Sequence, residues 1–330
     1  MAQMRYREAL RDAHAEEMRR DNRVFVMGED IAVWGGSFRV TEGLLAEFGA
    51  ERVIDTPISE EVIVGAGIGA AMAGLRPIVE LMTINFSLLA MDQIINHAAK
   101  LYYMSGGQLP IPMVIRAPQG AGQQLGAQHS QNLEAHFVHT PGLKVVIPST
   151  AADAKGLLKT SVRDDDPIIF IEHEILYGMK GDVPDDNDFT IPLGVADVKR
   201  EGSDVTIVAY SRMVHTVLEA ASQLEKEDGI SVELVDPRTL KPFDIDTVTK
   251  SVEKTGRLVI VEEDCRTCGV GAEIAASVGE RAFYSLDAPI LRVAGADVPI
   301  PYSRHLEQSA IPQTQDVVHA VKRILAGKAP

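Results

Sequence analysis

Acids at Glu29 and Glu60, an aromatic at Phe86 and a histidine at His129 fall in loops that follow expected strands. Acids and histidine are the side chains that move protons in catalysis. Glu60 belongs to Asp55-Thr56-Pro57-Ile58-Ser59-Glu60-Glu61, which runs into a small-residue segment over 62–74. Pro57 fixes an extended turn, and Ser59 is a good helix N-cap with acids directly behind it. Gly65, Gly69 and Ala73 recur every four residues. Such a stripe carries almost no side chain, so the helix backbone can approach another surface closely while its first turn aims Glu60. The same position also suits a plain capping acid favoured by the helix dipole. Glu61 points elsewhere on a helix and serves as the internal control.

The same letters match a dinucleotide pattern, with Gly65, Gly67 and Ala70 in G-x-G-x-x-A register and Glu80 further along. An NAD-binding oxidoreductase using Gly65 to Gly69 is therefore the competing class. That pattern needs a full strand before its first glycine. Only three apolar residues, Val62 to Val64, precede Gly65, behind a helix start at Ser59-Glu60-Glu61. Glu80 also falls short of the usual spacing of about 20 residues.

A chain of 330 residues with 45% hydrophobic content can build two globular domains. A formal net charge of −15 argues against nucleic acid or an anionic membrane as partner, since phosphate binding needs basic surface. Cys265 and Cys268 form a C-x-x-C pair without further ligands at zinc spacing and read as reduced thiols. Residues 1–21 mix five arginines with five acids, among them Glu8 and Asp12, without an apolar core, which suits neither a signal nor a transit peptide. The longest charge-free apolar run, 62–75, is too short to span a bilayer. The expectation is an unexported, cytoplasmic protein.

The elements that must position these residues alternate. Helix 6–20 leads to strand 24–27, then a glycine-rich loop with Trp34-Gly35-Gly36-Ser37 and a short helix at 44–48. After the Glu60 helix come strand 78–82, a long helix 86–104, strand 113–116, strand 145–147, helix 153–162 and strand 168–171. An acidic stretch at 181–188 reads as linker, and beyond it the alternation resumes to a last helix at 315–325. Alternating strands and helices imply parallel βαβ units. The expected fold is α/β, with two doubly wound domains over 1–180 and 191–330 joined by a linker at 181–190. In such sheets function gathers beyond the carboxyl ends of strands, where Glu29, Asp55 to Glu60, Phe86, Pro118 to Gly122 and His129 fall.

Asp55-Thr56-Pro57-Ile58-Ser59-Glu60, Gly74-Leu75-Arg76-Pro77, Asp92-Gln93-Ile94-Ile95-Asn96, Gln128-His129-Ser130-Gln131 and Asp297-Val298-Pro299-Ile300-Pro301-Tyr302 resemble the β subunits of thiamine-diphosphate-dependent 2-oxo acid dehydrogenases. The similarity covers nearly the whole chain in order. Within the family it looks most like the pyruvate dehydrogenase β chains, notably the plastid and cyanobacterial type, through Gly35-Gly36-Ser37-Phe38 and Gln124-Leu125-Gly126-Ala127.

The resemblance implies a transketolase-like fold, a pyrimidine-binding domain followed by a transketolase C-terminal-like domain. It implies that Glu60 meets the aminopyrimidine nitrogen of thiamine diphosphate, with Ile58 lining that pocket and Phe86 lying against the ring. His129 would assist substrate or acyl transfer to a lipoyl group, and Glu29 would belong to a polar passage between paired active sites. A potassium ion is implied at Met113, Ser161, Val162, Asp164 and Asp166. No Gly-Asp-Gly occurs in the chain, so diphosphate and magnesium would be held by a separate α subunit in an α₂β₂ assembly, with the glycine stripe packed across a subunit interface. The implied activity is decarboxylation of pyruvate and transfer of the acyl unit to the dihydrolipoamide acyltransferase core. Acetoin and branched-chain 2-oxo acids are the rival substrates.

Overall fold

Short runs rich in Val and Ile, bounded by turns, become strands buried on both faces, as parallel sheets require. The computed structural model describes residues 1–327; Lys328 to Pro330, the end of the expected second domain, lie outside the described residues. The chain divides into two compact units, Met1–Gln119 with His136–Leu193, and Gly120–Ala135 with Gly194–Pro330. The expected first domain, 1–180, is thus interrupted by a segment of the second unit that includes His129.

The first unit begins with β1 (Ala2–Arg5) and α1 (Tyr6–Arg20), followed by β2 (Val24–Glu29), α2 (Leu44–Phe48), β3 (Val53–Thr56) and α3 (Glu60–Met72). After β4 (Arg76–Glu80) come α4 (Leu101–Met104), β5 (Val114–Gln119), α5 (Glu134–Val138), β6 (Lys144–Val146), α6 (Ala151–Arg163), β7 (Ile168–His173) and β8 (Lys180–Val183). Within this unit the strands lie in the order β6-β7-β5-β4-β2-β3, each of these pairings parallel. β8 pairs antiparallel with β1, Ala2 opposite Val183, so the stretch expected as linker opens as a strand. α1 packs on α6, and Glu16 binds Lys155 and Lys159, each at 2.7 Å.

α3 owes its seat on the sheet to Gly67, where a Cβ would come within 2.8 Å of Val79 Cγ1 on β4. Gly69, by contrast, faces open space with nothing within 4 Å. The helix expected over 86–104 is broken into a 3₁₀ segment (Ile84–Ala90), a π turn (Gln93–Ala98) and α4. Asp92 accepts from Asn96 Nδ2 at 2.6 Å and pairs with His97 Nε2 at 3.3 Å. Those partners stand four and five residues on, so side-chain bonds tie the widened turn.

The second unit holds β9 (Asp197–Arg200), β10 (Val205–Ala209), α7 (Met213–Asp228), β11 (Val232–Asp236), β12 (Thr239–Lys241) and α8 (Ile245–Thr255). It continues with β13 (Leu258–Cys265), α9 (Val270–Ala282), β14 (Leu291–Gly295), α10 (Arg304–Ala310) and α11 (Thr314–Leu325). Its sheet runs β14-β13-β10-β11-β9, parallel except for the edge strand β9. β13 extends through Glu262, Glu263 and Asp264.

Candidate functional site

β2 lies between β3 and β4, so the chain steps from β2 to one neighbour and then crosses to the other. That reversal is the place where open α/β sheets bind ligands. Glu29 ends β2 opposite Thr56 at the end of β3, and Glu80 ends β4 opposite Gly28. α3 starts at Glu60, a few residues past Thr56. Ser59 occupies the N-cap position without capping; its hydroxyl donates instead to the Pro57 carbonyl at 3.2 Å. Ser59 misses the cap because its backbone (φ −168°, ψ 70°) lies outside the geometry that aims an N-cap oxygen at the N3 amide.

Glu60 is only 5% exposed, while Glu61 faces outward. Glu29 is buried beside it, and burial followed by the charges of Glu60, Asp30 and Glu80 lifts the Glu29 carboxyl above its ordinary range. Its Oε1 has no hydrogen-bond partner among the described residues. A buried carboxyl raised in this way, with one oxygen unpartnered, favours a ligand that offers a donor.

Deeper in the same unit the acids are answered. Arg116, fully buried on β5, donates from Nη1 to Glu80 at 2.5 Å and from Nε and Nη2 to Glu172 at 2.6 and 2.7 Å. Tyr177 adds its hydroxyl to Glu172 at 2.6 Å and stacks on Phe38 of the glycine-rich loop. Burial lifts the Glu80 carboxyl and Arg116 opposes that rise. Sequence reasoning left Arg116 as an ordinary strand residue. Its signal was a single charge closing the apolar run Met113-Val114-Ile115.

Phe86 is half-buried on the 3₁₀ segment that packs against α3. Ile58 is 79% exposed in the isolated chain. His129 lies exposed in a loop of the second unit, its N–H on the Gly126 carbonyl at 3.2 Å. Glu29 and Glu60 are therefore brought together, with Phe86 on the segment beside their helix, and His129 belongs to the other unit. Gly65, Gly67 and Ala70 of the dinucleotide pattern sit inside α3, well past the end of β3, so no strand-to-helix glycine turn exists there.

The residues expected around potassium already have partners. Val162 and Asp164 carbonyls accept from Arg76 Nη1 at 3.0 and 2.9 Å, and the Met113 carbonyl accepts the Ile168 N–H. The Ser161 hydroxyl donates to the Leu157 carbonyl. Lys144 Nζ binds the Asp164 and Asp166 carboxylates at 2.6 and 3.0 Å. Two fixed cations thus already supply positive charge at the Val162 and Asp164 carbonyls and at the Asp164 and Asp166 carboxylates. Among the described residues no group of three or more His, Cys, Asp or Glu could hold a metal, and no helix is long and apolar enough to cross a membrane.

Residues 2–180 match the transketolase pyrimidine-binding domain, and residues 194–317 match the transketolase C-terminal domain. A solved structure described as a split-gene transketolase, inactive β4 tetramer, superposes with a TM-score of 0.80 at 26% identity, covering 98% of this chain and 99% of that one. The class is thus a transketolase-type α/β protein. The pyruvate dehydrogenase E1 component β subunit of Rickettsia felis is 55% identical over 98% of both chains. That of Rhizobium meliloti is 56% identical over 98% of this chain and 70% of its own length. The mitochondrial one of Caenorhabditis elegans is 52% identical over 98% of this chain and 92% of its own. With half or more of its residues shared over almost its whole length, the chain belongs to the pyruvate dehydrogenase E1 β-subunit family.

Proposed function

We propose that this chain is the β half of an α₂β₂ pyruvate dehydrogenase E1 component that works in the cytoplasm on thiamine diphosphate. It spans a pyrimidine-binding domain over 1–180, a linker at 181–190 and a C-terminal domain from 191. The observation that carries the reading is the buried pair of acids, Glu29 and Glu60, at the switch point of the first sheet, with Glu29 Oε1 left without a hydrogen-bond partner among the described residues. An aminopyrimidine presents ring nitrogens at which such a pair can hold a proton, so the residues fit the cofactor. Magnesium and the diphosphate fall to the α subunit, because this chain contains no Gly-Asp-Gly. The split-gene transketolase chain of matching length, inactive as a β4 tetramer, agrees with a β half that needs its partner.

Thiamine diphosphate, when bound, would supply a thiazolium carbon acid that, once deprotonated, serves as nucleophile and electron sink for a 2-oxo acid. Glu60 holds the proton at the pyrimidine ring nitrogen and shares it there. Glu29, with its affinity for protons raised by burial, keeps a second proton within the same acid pair. Phe86 and Ile58 bound the ring and exclude water from it. His129 serves the second half of the reaction, donating a proton to the sulfur released when a lipoyl disulfide on the acyltransferase core takes the acyl unit. The stripe of half-buried Gly65 and exposed Gly69 and Ala73 packs against a neighbouring subunit. A potassium ion at Met113, Ser161, Val162, Asp164 and Asp166 would have to share its oxygens with Arg76 and Lys144; potassium-independent melting of the assembly is the expected result.

Reconstitution with the α chain tests the reading. Glu60→Gln should abolish turnover of pyruvate while Glu61→Gln leaves it nearly intact, and equal effects would defeat the proposal. A substrate panel settles the acid used: pyruvate should be preferred over acetoin and branched-chain 2-oxo acids.

A further inference from the structure

His129 rides on a loop, residues 120–131, whose ends meet where the Gly120 N–H donates to the Gln131 carbonyl at 3.4 Å. Its backbone is unusual, with positive φ at Gly120 (99°), Gly122 (117°), Gln124 (57°) and Gly126 (78°). A glycine-rich path of this kind has little preference for one shape, so its geometry must be imposed from outside. The second unit imposes it at four successive points. Glu263 accepts the Ala121 N–H at 2.7 Å, and Arg212 Nη1 donates to the Ala121 carbonyl at 3.0 Å. Glu307, 1% exposed on α10, accepts the Gly122 and Gln124 N–H groups on one oxygen at 2.9 and 3.0 Å. The Tyr302 ring lies flat on Gly126, where a Cβ would come within 2.3 Å of it. One turn later the His129 N–H closes on the Gly126 carbonyl.

We propose that Glu307, helped by Glu263 and Tyr302, is the positioning residue for His129, an inference that rests on the acyl-transfer role given to that histidine. A buried carboxylate that accepts two backbone N–H groups fixes a loop more firmly than a neutral acceptor. It has no other visible task among the described contacts of α10. A displacement of about 1 Å can cost about a hundredfold in rate, so loosening this clamp should reach His129 and leave the acid pair of the first unit alone.

The test uses the α-reconstituted holoenzyme in two assays, acyl transfer to an isolated lipoyl domain and pyruvate oxidation by ferricyanide. Glu307→Ala should slow lipoyl transfer about tenfold or more with ferricyanide turnover held within about twofold. Glu307→Gln keeps the accepting oxygen and should restore transfer. His129→Ala with Glu307→Ala should lose no more than His129→Ala alone. Amide exchange supplies a readout independent of activity: protection at Gly122 and Gln124 should fall in Glu307→Ala and hold in Glu307→Gln. If Glu307→Ala does not fold, Gly126→Ala, which collides with Tyr302, must give the same split between assays. Additive losses in the double variant, or equal losses in both assays, would overturn the inference. Unchanged protection in Glu307→Ala overturns it alone, whereas lost protection with a silent His129→Ala overturns the role of His129 and this inference with it.

Discussion

The two units both bury carboxyl groups at the carboxyl ends of their strands, yet they treat them in opposite ways. In the second unit Glu262 accepts the Gly271 N–H at 2.7 Å, Arg292 Nη2 at 2.5 Å and the Tyr210 hydroxyl at 3.3 Å. In the first unit Glu29 keeps a buried oxygen without a donor among the described residues, and the charge of buried Glu60 beside it raises its affinity for a proton. Folding tolerates a buried acid when hydrogen bonds replace water. An acid left unanswered costs stability and is kept where a ligand supplies the missing donor. The contrast separates structural acids from working ones without reference to any relative.

Mutation can break that contrast directly, and the largest effect belongs to Glu60. Glu60→Gln should lower pyruvate turnover of the assembled enzyme by about 10² to 10⁴ while its melting temperature stays put or rises. Glu262→Ala should do the reverse. It strips Arg292 of its partner and should cost about 3–5 kcal/mol of stability, as removal of half a buried ion pair does. Denaturant unfolding of the two variants beside turnover would show it. A large stability loss in Glu60→Gln would mean that its carboxyl is structural after all.

The sequence made the frame legible because strands buried on both faces read as apolar runs, and α1 falls on the expected residues, Tyr6–Arg20. The site's acid at the start of α3 was legible for the same reason: the pattern after β3 turns helical at Glu60. What escaped depends on contacts distant in sequence. Arg116 meets Glu80 and Glu172 from neighbouring strands, and no local pattern carries that. The loop 120–131 looked like part of the first domain because it follows β5. Its hydrogen bonds run instead to Glu263 and Glu307, well over a hundred residues on. The helix expected over 86–104 failed where Asn96 and His97 both bond to the Asp92 carboxylate and hold a wider turn.

A moderate effect should appear in how stability depends on pH. Asp264, on β13, has its carboxyl pushed from 3.8 up to about 6, chiefly by burial, with Glu262 and Glu263 adding to the rise against the Cys265 N–H. A folded value above the unfolded one means that ionisation opposes folding. The penalty is absent below pH 3.8, grows toward pH 6, and is full above that, on the order of 2–3 kcal/mol. Asp264→Asn should therefore raise the melting temperature by several degrees at pH 7.5 and by little at pH 4. Glu29→Gln should show the same sign, since its value is also raised, while lowering turnover. Asp264→Asn should leave turnover alone, which keeps the two units distinct.

The smallest effect is optical, and it probes whether the unanswered acids are closed over by another chain. Trp34 is the sole tryptophan and is 74% exposed. It sits on the loop that Asp55 holds through the Ala32 N–H at 2.6 Å, and Asp55 stands just ahead of the turn into α3. A tryptophan in water emits to the red, and one covered by protein emits to the blue. Titrating a tryptophan-free α chain into this chain should shift emission by a few nanometres and saturate at one to one. Trp34→Phe should remove the signal and leave the titration detectable by sedimentation. Assembly without any emission change would place the partner elsewhere, leaving Glu29 and Glu60 open to solvent and the contrast between the units without its cause.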